Sequence, residues 1–285
     1  MGWRDLSDDP NARPVLRARH ETVRRAARPP LRDRVERIVE LCRDARVLDV
    51  GCVDHRAGLH TGPNFLHRRL AEVASSCLGV DVEAAGVAAM QRAGFDALVH
   101  DVCAGPGPIA ARGPFDVVVA GEVVEHLASP QALFEVAGTV LAPGGRLVVT
   151  TPNPYAPHRV RAGQLGVSFE NADHVVYAFP SGVAELGARA GFELEEYRTV
   201  FTRPLRTELR RAAVRLAVAA RDRVLGNRRE RDDGPDAEIV PALMTYVNPF
   251  ELAFVAATRS SRFLGETAFY VLRKRASREA SGSGA

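Results

Sequence analysis

The chain has 285 residues, 46% apolar and 26% charged, which is ordinary globular composition and not that of a disordered or collagenous chain. Its 38 basic residues against 35 acidic leave a net charge of only +3, too weak a field to indicate nucleic acid by itself. Cys42, Cys52, Cys77 and Cys103 form no CxxC pair, the first residues carry no apolar leader and no run of about eighteen apolar residues occurs, so disulfide scaffold, zinc ribbon, secreted and membrane-spanning readings lose their basis and a cytoplasmic protein is expected.

Residues 1–31 read as an N-terminal helical extension. From about Arg46 to Thr151, short Val- and Leu-rich runs alternate with stretches of helical period, the pattern of a parallel sheet covered on both faces. Strands are expected at Arg46–Val50, Cys77–Asp81, Phe95–Asp101, Phe115–Ala120 and Arg146–Thr151. Between them, Leu66, Leu70 and Val73 share a helical face, Val87 and Met90 belong to a helix stopped by Gly94, and Ser129 with Pro130 opens the helix carrying Leu133, Val136 and Val140. Pro143, Gly144 and Gly145 read as a turn. Ser181 is expected to cap a helix ending before Gly191, and Phe192–Phe201 reads as a strand.

Beyond this core, 203–265 reads as a helical insertion. Its first part, Arg203–Leu225, is basic and amphipathic, and either covers the acceptor site as a lid or lies on anionic lipid. Asn227–Asp236 reads as a loop, Asn248, Pro249 and Glu251 as a capping box, 266–275 as the last strand around Ala268–Leu272, and 276–285 as a disordered tail.

Chemistry concentrates at the strand ends. In VLDVGCVDH, Val47–His55, an apolar strand runs into an acid, a glycine and a turn, which suits a ligand lying across the carboxyl ends of the strands. A dinucleotide fingerprint fails, because Val53 and Arg56 stand where glycines should be. Asp81, ending LGVDV, is placed to accept from two ribose hydroxyls. Asp101, ending VHDV, is placed to accept from an adenine amine while Val102 addresses the ring. For a lone acid the alternative is a capping or turn role.

These motifs, with FDVVVAGEVVEHLASP and LAPGGRLVVTTPNP, occur in an order and spacing that resemble the class I S-adenosylmethionine-dependent methyltransferases, over about Arg32–Phe201. The resemblance implies a doubly wound, Rossmann-like α/β fold with a seven-stranded, mostly parallel sheet and an antiparallel last strand, in a core of 32–202 completed by 266–275. It implies that Asp49 and the Gly51 backbone face the methionine moiety of S-adenosylmethionine, Asp81 the ribose, Asp101 and Val102 the adenine, and that Val82 and Gly121 border the cofactor. The family's GxGxG turn is altered here to Gly51, Val53 and His55, a variant similar to turns in methyltransferases of cell-envelope glycans.

Glu122, Glu125 and His126 follow the fourth strand, where the sulfonium methyl would point. His126 is a candidate general base oriented by Glu122 or Glu125. With His174, the same residues resemble the metal positions of small-RNA 3′-terminal 2′-O-methyltransferases, and the first three those of quinone-pathway catechol O-methyltransferases. A divalent metal on Glu122, Glu125, His126 and His174 is therefore the second reading. The third keeps both glutamates near the methionine ammonium and packs His126 under the cofactor. His20, His55, His60, His67, His100 and His158 lack partners at a telling spacing and read as exposed or turn histidines. Asn153 and Tyr155 are either acceptor-pocket residues or a turn residue and a packed ring.

The expected function is O-methylation of a small-molecule or cell-envelope glycan-type acceptor, including a lipid-linked one, with peripheral membrane contact through 203–225 as an option. The rivals are a metal-dependent RNA 2′-O-methyltransferase, for which the added segments lack clear aromatic platforms or a basic groove, and an inactive methyltransferase-like binding protein. A nicotinamide dehydrogenase stands further off, because the pyrophosphate turn is wrong.

Overall fold

The structure is a computed structural model and describes residues 2–54, 62, 65–164, 170–201 and 261–276, with scattered positions between 206 and 221. Its strands are β1 (Arg46–Val50), β2 (Ser76–Asp81), β3 (Ala97–Val99), β4 (Phe115–Gly121), β5 (Leu141–Pro152), β6 (Phe192–Val200) and β7 (Thr267–Lys274). They form one sheet in the order β3-β2-β1-β4-β5-β7-β6. Neighbours are parallel from β3 through β5, and β7 runs antiparallel to both β5 and β6. The helices are α1 (Arg13–Ala26), α2 (Arg34–Cys42), α3 (Leu66–Ala71), α4 (Ala84–Arg92), α5 (Pro130–Val140), α6 (Pro157–Gln164) and α7 (Pro180–Arg189). This is the expected Rossmann-like architecture.

Because successive side chains on a strand point to opposite faces, the continuous apolar runs fill two cores at once. Leu48, Val50, Val118, Ala120, Leu147 and Val149 pack with α1, α5 and α7. Val47, Val117, Val119 and Val148 pack with α2 and α3. Both faces of the central strands are thus covered, as parallel sheets require.

Several local expectations are corrected. The third strand is only Ala97–Val99, because Asp101 turns the chain by capping a single 3₁₀ turn with its side chain. Pro143–Gly145 do not separate a helix from a strand. They form a bulge inside β5, where Phe115 pairs with Leu141 and Val117 with Arg146, and Gly144 takes a φ of 78°. Pro180 is the first residue of α7 and Phe179 its cap, so Ser181 sits inside the first turn. Ser129 holds the cap position of α5 without a side-chain cap bond, and Val73 packs beyond the end of α3. The readings for 203–265 and for the tail lie largely outside the described residues. No helix among the described residues is long and apolar enough to cross a membrane.

The segment after α1 shields the outer edge of the sheet, with Arg28 N donating to Tyr197 O at 2.9 Å and Leu31 N to Thr199 O at 2.8 Å. In β6 the register shifts between Leu194 and Glu196. This extra residue puts Tyr197 in the α7-side core and leaves Glu196 to meet α2, where Arg37 donates to it at 2.7 Å while Arg198 donates at 2.6 Å. Burial would raise the Glu196 carboxyl, but the two guanidinium groups outweigh it and its pKa falls below the ordinary value. A lowered folded pKa adds stability above the ordinary glutamate range, and that contribution is lost as pH falls through the lowered value. Glu196→Gln should therefore cost roughly 1–3 kcal/mol at neutral pH, with the difference from wild type shrinking in acid, as measured by urea unfolding across pH.

Candidate active site

The sheet order reverses between β2-β1 and β1-β4, and at the carboxyl ends of these strands lies a cavity of about 730 Å³. Every cofactor-contact position expected from the sequence, Asp49, Gly51, Asp81, Val82, Asp101, Val102 and Gly121, borders it. Glu122, Glu125, His126 and His174 border it too. Topology alone brings together residues that are far apart in sequence.

Gly51 has a φ of 70°, and a Cβ there would lie 2.4 Å from Val123 Cγ2, so this position has room for glycine only. The altered glycine turn is accommodated locally. Val53 stands where a glycine would be expected, and its side chain packs on Gly86 of α4, where a Cβ would approach Val53 Cγ1 to 2.4 Å. Val53 N donates to Asp81 Oδ2 and Glu83 N to Asp81 Oδ1, each at 3.0 Å. Each oxygen keeps a second lone pair for a ligand. His55 lies outside the described residues.

Asp101 is exposed, and its Oδ1 accepts from Cys103 N at 2.8 Å; the capping role and the place at the cavity coexist. Asp49 is buried and paired with the equally buried His67, Nδ1 to Oδ2 at 2.9 Å. The reading of His67 as an exposed or turn histidine is thus overturned. So is the pocket-lining alternative for Asn153, which donates to Phe263 O at 2.7 Å and Gly265 O at 2.6 Å and accepts from Tyr155 N. Tyr155 packs edge-on against Phe179, and neither residue borders the cavity.

The two glutamates after β4 have opposite environments. Glu122 adopts a left-handed φ of 59°, and its side chain accepts from Arg34 at 2.9 Å, while Arg34 also donates to Thr150 Oγ1 at 2.8 Å. Arg34 carried no sequence signal, since it reaches the site from the first turn of α2. Glu125 is fully buried, and among the described residues neither carboxylate oxygen has a partner at hydrogen-bond distance, the Thr151 hydroxyl and its own backbone giving only weak support. Burial, with Glu122 nearby adding to it, pushes its pKa up to about 8.

His126 is oriented neither by Glu122 nor by Glu125, as had been expected. Its Nδ1 lies 2.7 Å from Asp173 Oδ2, and an ionised carboxylate only accepts, so Nδ1 carries the proton, and in the neutral ring the lone pair is on Nε2. His174 packs edge-on against His126 with centroids 4.7 Å apart, and its Nδ1 is 3.2 Å from the Tyr177 hydroxyl, which donates to Glu170. Burial and the neighbouring His126 lower the His174 pKa. Glu125, His126 and His174 each offer one ligand atom, all within 4.8 Å of one another. Glu122 does not join them, so the expected quartet is a triad plus a glutamate held by Arg34.

The family described as a methyltransferase domain matches residues 23–197. The chain belongs to this family, the class I S-adenosylmethionine-dependent methyltransferases. It is 32% identical over 184 residues to a ubiquinone biosynthesis O-methyltransferase of Azorhizobium caulinodans, covering 59% of this chain and 66% of that protein. To one from Xylella fastidiosa it is 29% identical over 185 residues, covering 59% and 69%. The chain thus spans just under two thirds of the length of the former. A methyltransferase from Archaeoglobus fulgidus shares the fold, with a TM-score of 0.52 at 15% identity over 85% of this chain and 91% of that one.

The raised pKa of Glu125 fixes a pH dependence. The unfolded chain releases this proton near the ordinary value of 4.5 and the folded one near 8, so stability falls as pH rises through that window. Metal-free Glu125→Gln should melt close to wild type at acid pH and above it at alkaline pH. A constant difference across pH would contradict the assignment.

Proposed function

We propose that the methyltransferase transfers the methyl group of S-adenosylmethionine to a hydroxyl of a small-molecule acceptor in the cytoplasm. The observation that carries this reading is the Asp173–His126 pair, which holds the imidazole by Nδ1 at the cavity's edge and leaves Nε2 of the neutral ring to act as the base. When bound, S-adenosylmethionine supplies an electrophilic methyl on sulfonium. Gly51 lets the backbone approach the methionine end, Asp81 and Val82 face the ribose, Asp101 and Val102 the adenine, and Gly121 borders the methyl-bearing side. Asp81→Asn is expected to weaken S-adenosylhomocysteine binding by about tenfold or more, read by calorimetry.

The acceptor oxygen must lie in line with the methyl and the sulfur, and such alignment can contribute up to roughly 7–11 kcal/mol. His126 Nε2 takes the hydroxyl proton as oxygen attacks, and Asp173 stabilises the imidazolium that forms, an effect worth about 10²- to 10⁴-fold. Glu122, neutralised by Arg34, is left to shape the wall.

The Glu125–His126–His174 triad supports a second reading of the same reaction. A buried carboxylate without a partner beside two imidazoles whose Nδ1 atoms are already engaged is a donor set fit for a divalent ion. Such an ion would lower the pKa of the acceptor hydroxyl, and the mixed N/O donors favour Mn, Fe, Co or Zn over Mg.

Hydroxyl pairs on a ring, as in catechols and sugars, are the proposed acceptor class. The O-methyltransferase relatives support the first and the glycan-type glycine turn the second. The segment 203–265 lies beyond the family match and is proposed as the acceptor lid, with 203–225 offering contact to a lipid-linked substrate.

Transfer of labelled methyl to panels of catechols, phenols and sugars tests this. Under the base mechanism, His126→Ala should lower turnover about 10²-fold or more with S-adenosylhomocysteine affinity unchanged. Equal loss of both would overturn the catalytic role. Activity that is lost to chelator and restored by Mn or Zn selects the metal reading, and indifference to chelator removes it.

A further inference from the structure

His67 is the least expected residue near the cavity. It is the second residue of α3 and 1% exposed, with its Nε2 buried and, among the described residues, without a hydrogen-bond partner. Phe65 and Phe95 pack on it with ring centroids at 6.1 and 5.3 Å. Leucine or phenylalanine would fill such a space without burying a polar atom that finds no partner. The imidazole's close hydrogen bond is from Nδ1 to Asp49 Oδ2 at 2.9 Å, with the Cys77 sulfur a longer 3.9 Å from the same nitrogen.

The sheet is built to admit this ring. Asp49 on β1 pairs in register with Gly79 on β2. A Cβ on Gly79 would lie 2.9 Å from His67 Cε1 and 2.8 Å from Cys52 Sγ. Glycine inside a strand weakens it and marks a close approach. Here the missing side chain leaves, beside Asp49, the space that the imidazole occupies.

We infer that His67 is a positioning residue for the cofactor. Its N–H fixes one oxygen of Asp49, so that the carboxylate turns its other oxygen toward the ammonium at the amino-acid end of S-adenosylmethionine. The inference rests on the cofactor reading above and deepens it. The recognition chain runs from α3 through β1 to the ligand, and the imidazole itself touches neither cofactor nor acceptor.

Two substitutions separate the hydrogen bond from the packing. His67→Phe keeps an aromatic ring among Phe65 and Phe95 and removes the donor. His67→Asn loses the ring and keeps an N–H near the position of Nδ1. Each is titrated by calorimetry with S-adenosylhomocysteine and with 5′-methylthioadenosine, which lacks the amino-acid end, and each is checked for melting temperature.

The Phe variant should lose about tenfold or more in affinity for S-adenosylhomocysteine while 5′-methylthioadenosine changes by less than about twofold. The Asn variant should bind both nearly as wild type does. Equal loss for both ligands, or loss in the Asn variant with retention in the Phe variant, would mean that His67 serves packing and would overturn the inference. Should the Phe variant fold poorly, the Asn variant still decides. If wild type binds S-adenosylhomocysteine and Asp49→Asn selectively weakens it while His67→Phe does not, the inference alone falls. If wild type binds neither ligand, the cofactor reading falls first.

Discussion

The strand β1 has β2 on one side and β4 on the other, and the chain leaves these strands toward opposite faces of the sheet. The helix α3 that follows β1 packs on one face and α5 after β4 on the other. Among the described residues, the two connections leave a cavity between the strands' carboxyl ends, as the topology of such a sheet dictates. Asp49 and Gly51 at the end of β1, Asp81 at the end of β2 and the Glu122–His126 turn after β4 meet there because the strands are in register. The two cores on either side of the sheet hold that register. One core includes the α2 helix that delivers Arg34.

Among the acids that border the cavity, Asp49, Asp81, Glu122 and Glu125 would repel each other if left alone, and the fold gives three of these four an internal partner. Asp49 meets His67, Asp81 accepts two backbone N–H groups, and Glu122 meets Arg34. Glu125 alone among the four has no hydrogen-bond partner for its carboxylate among the described residues, and burial raises its pKa. S-adenosylmethionine carries a sulfonium and an ammonium, so a rim of acids held in fixed positions suits it. An unpartnered carboxyl next to two oriented imidazoles is where the environment leaves capacity for chemistry.

The sequence was most legible where a single physical demand acts. Fully buried parallel strands need unbroken apolar runs, so β1 and β4 fall where Val and Leu cluster, and acids at strand ends mark the cavity. It was least legible where a contact depends on the packing of separate elements. His67 meets Asp49 because α3 folds onto the sheet and Gly79 makes room, which no local spacing encodes. Glu122 and Glu125 are equivalent in an ExxEH string, yet a left-handed residue at Glu122 sends one toward Arg34 and buries the other. Asp173, which orients His126, comes from a segment 47 residues further on. Turns were ambiguous for a related reason, since Pro143–Gly145 can end an element or bulge within one, and the pairing with β4 decides.

The central claim is that the crevice between β1 and β4 holds S-adenosylmethionine with its methyl directed at the Glu125–His126–His174 group. A crystal structure of the complex with S-adenosylhomocysteine tests it most directly. The account predicts the ribose at Asp81, the amino group at Asp49 and the sulfur facing His126. Ligand bound elsewhere, or in the crevice with the sulfur turned away from that group, would contradict it.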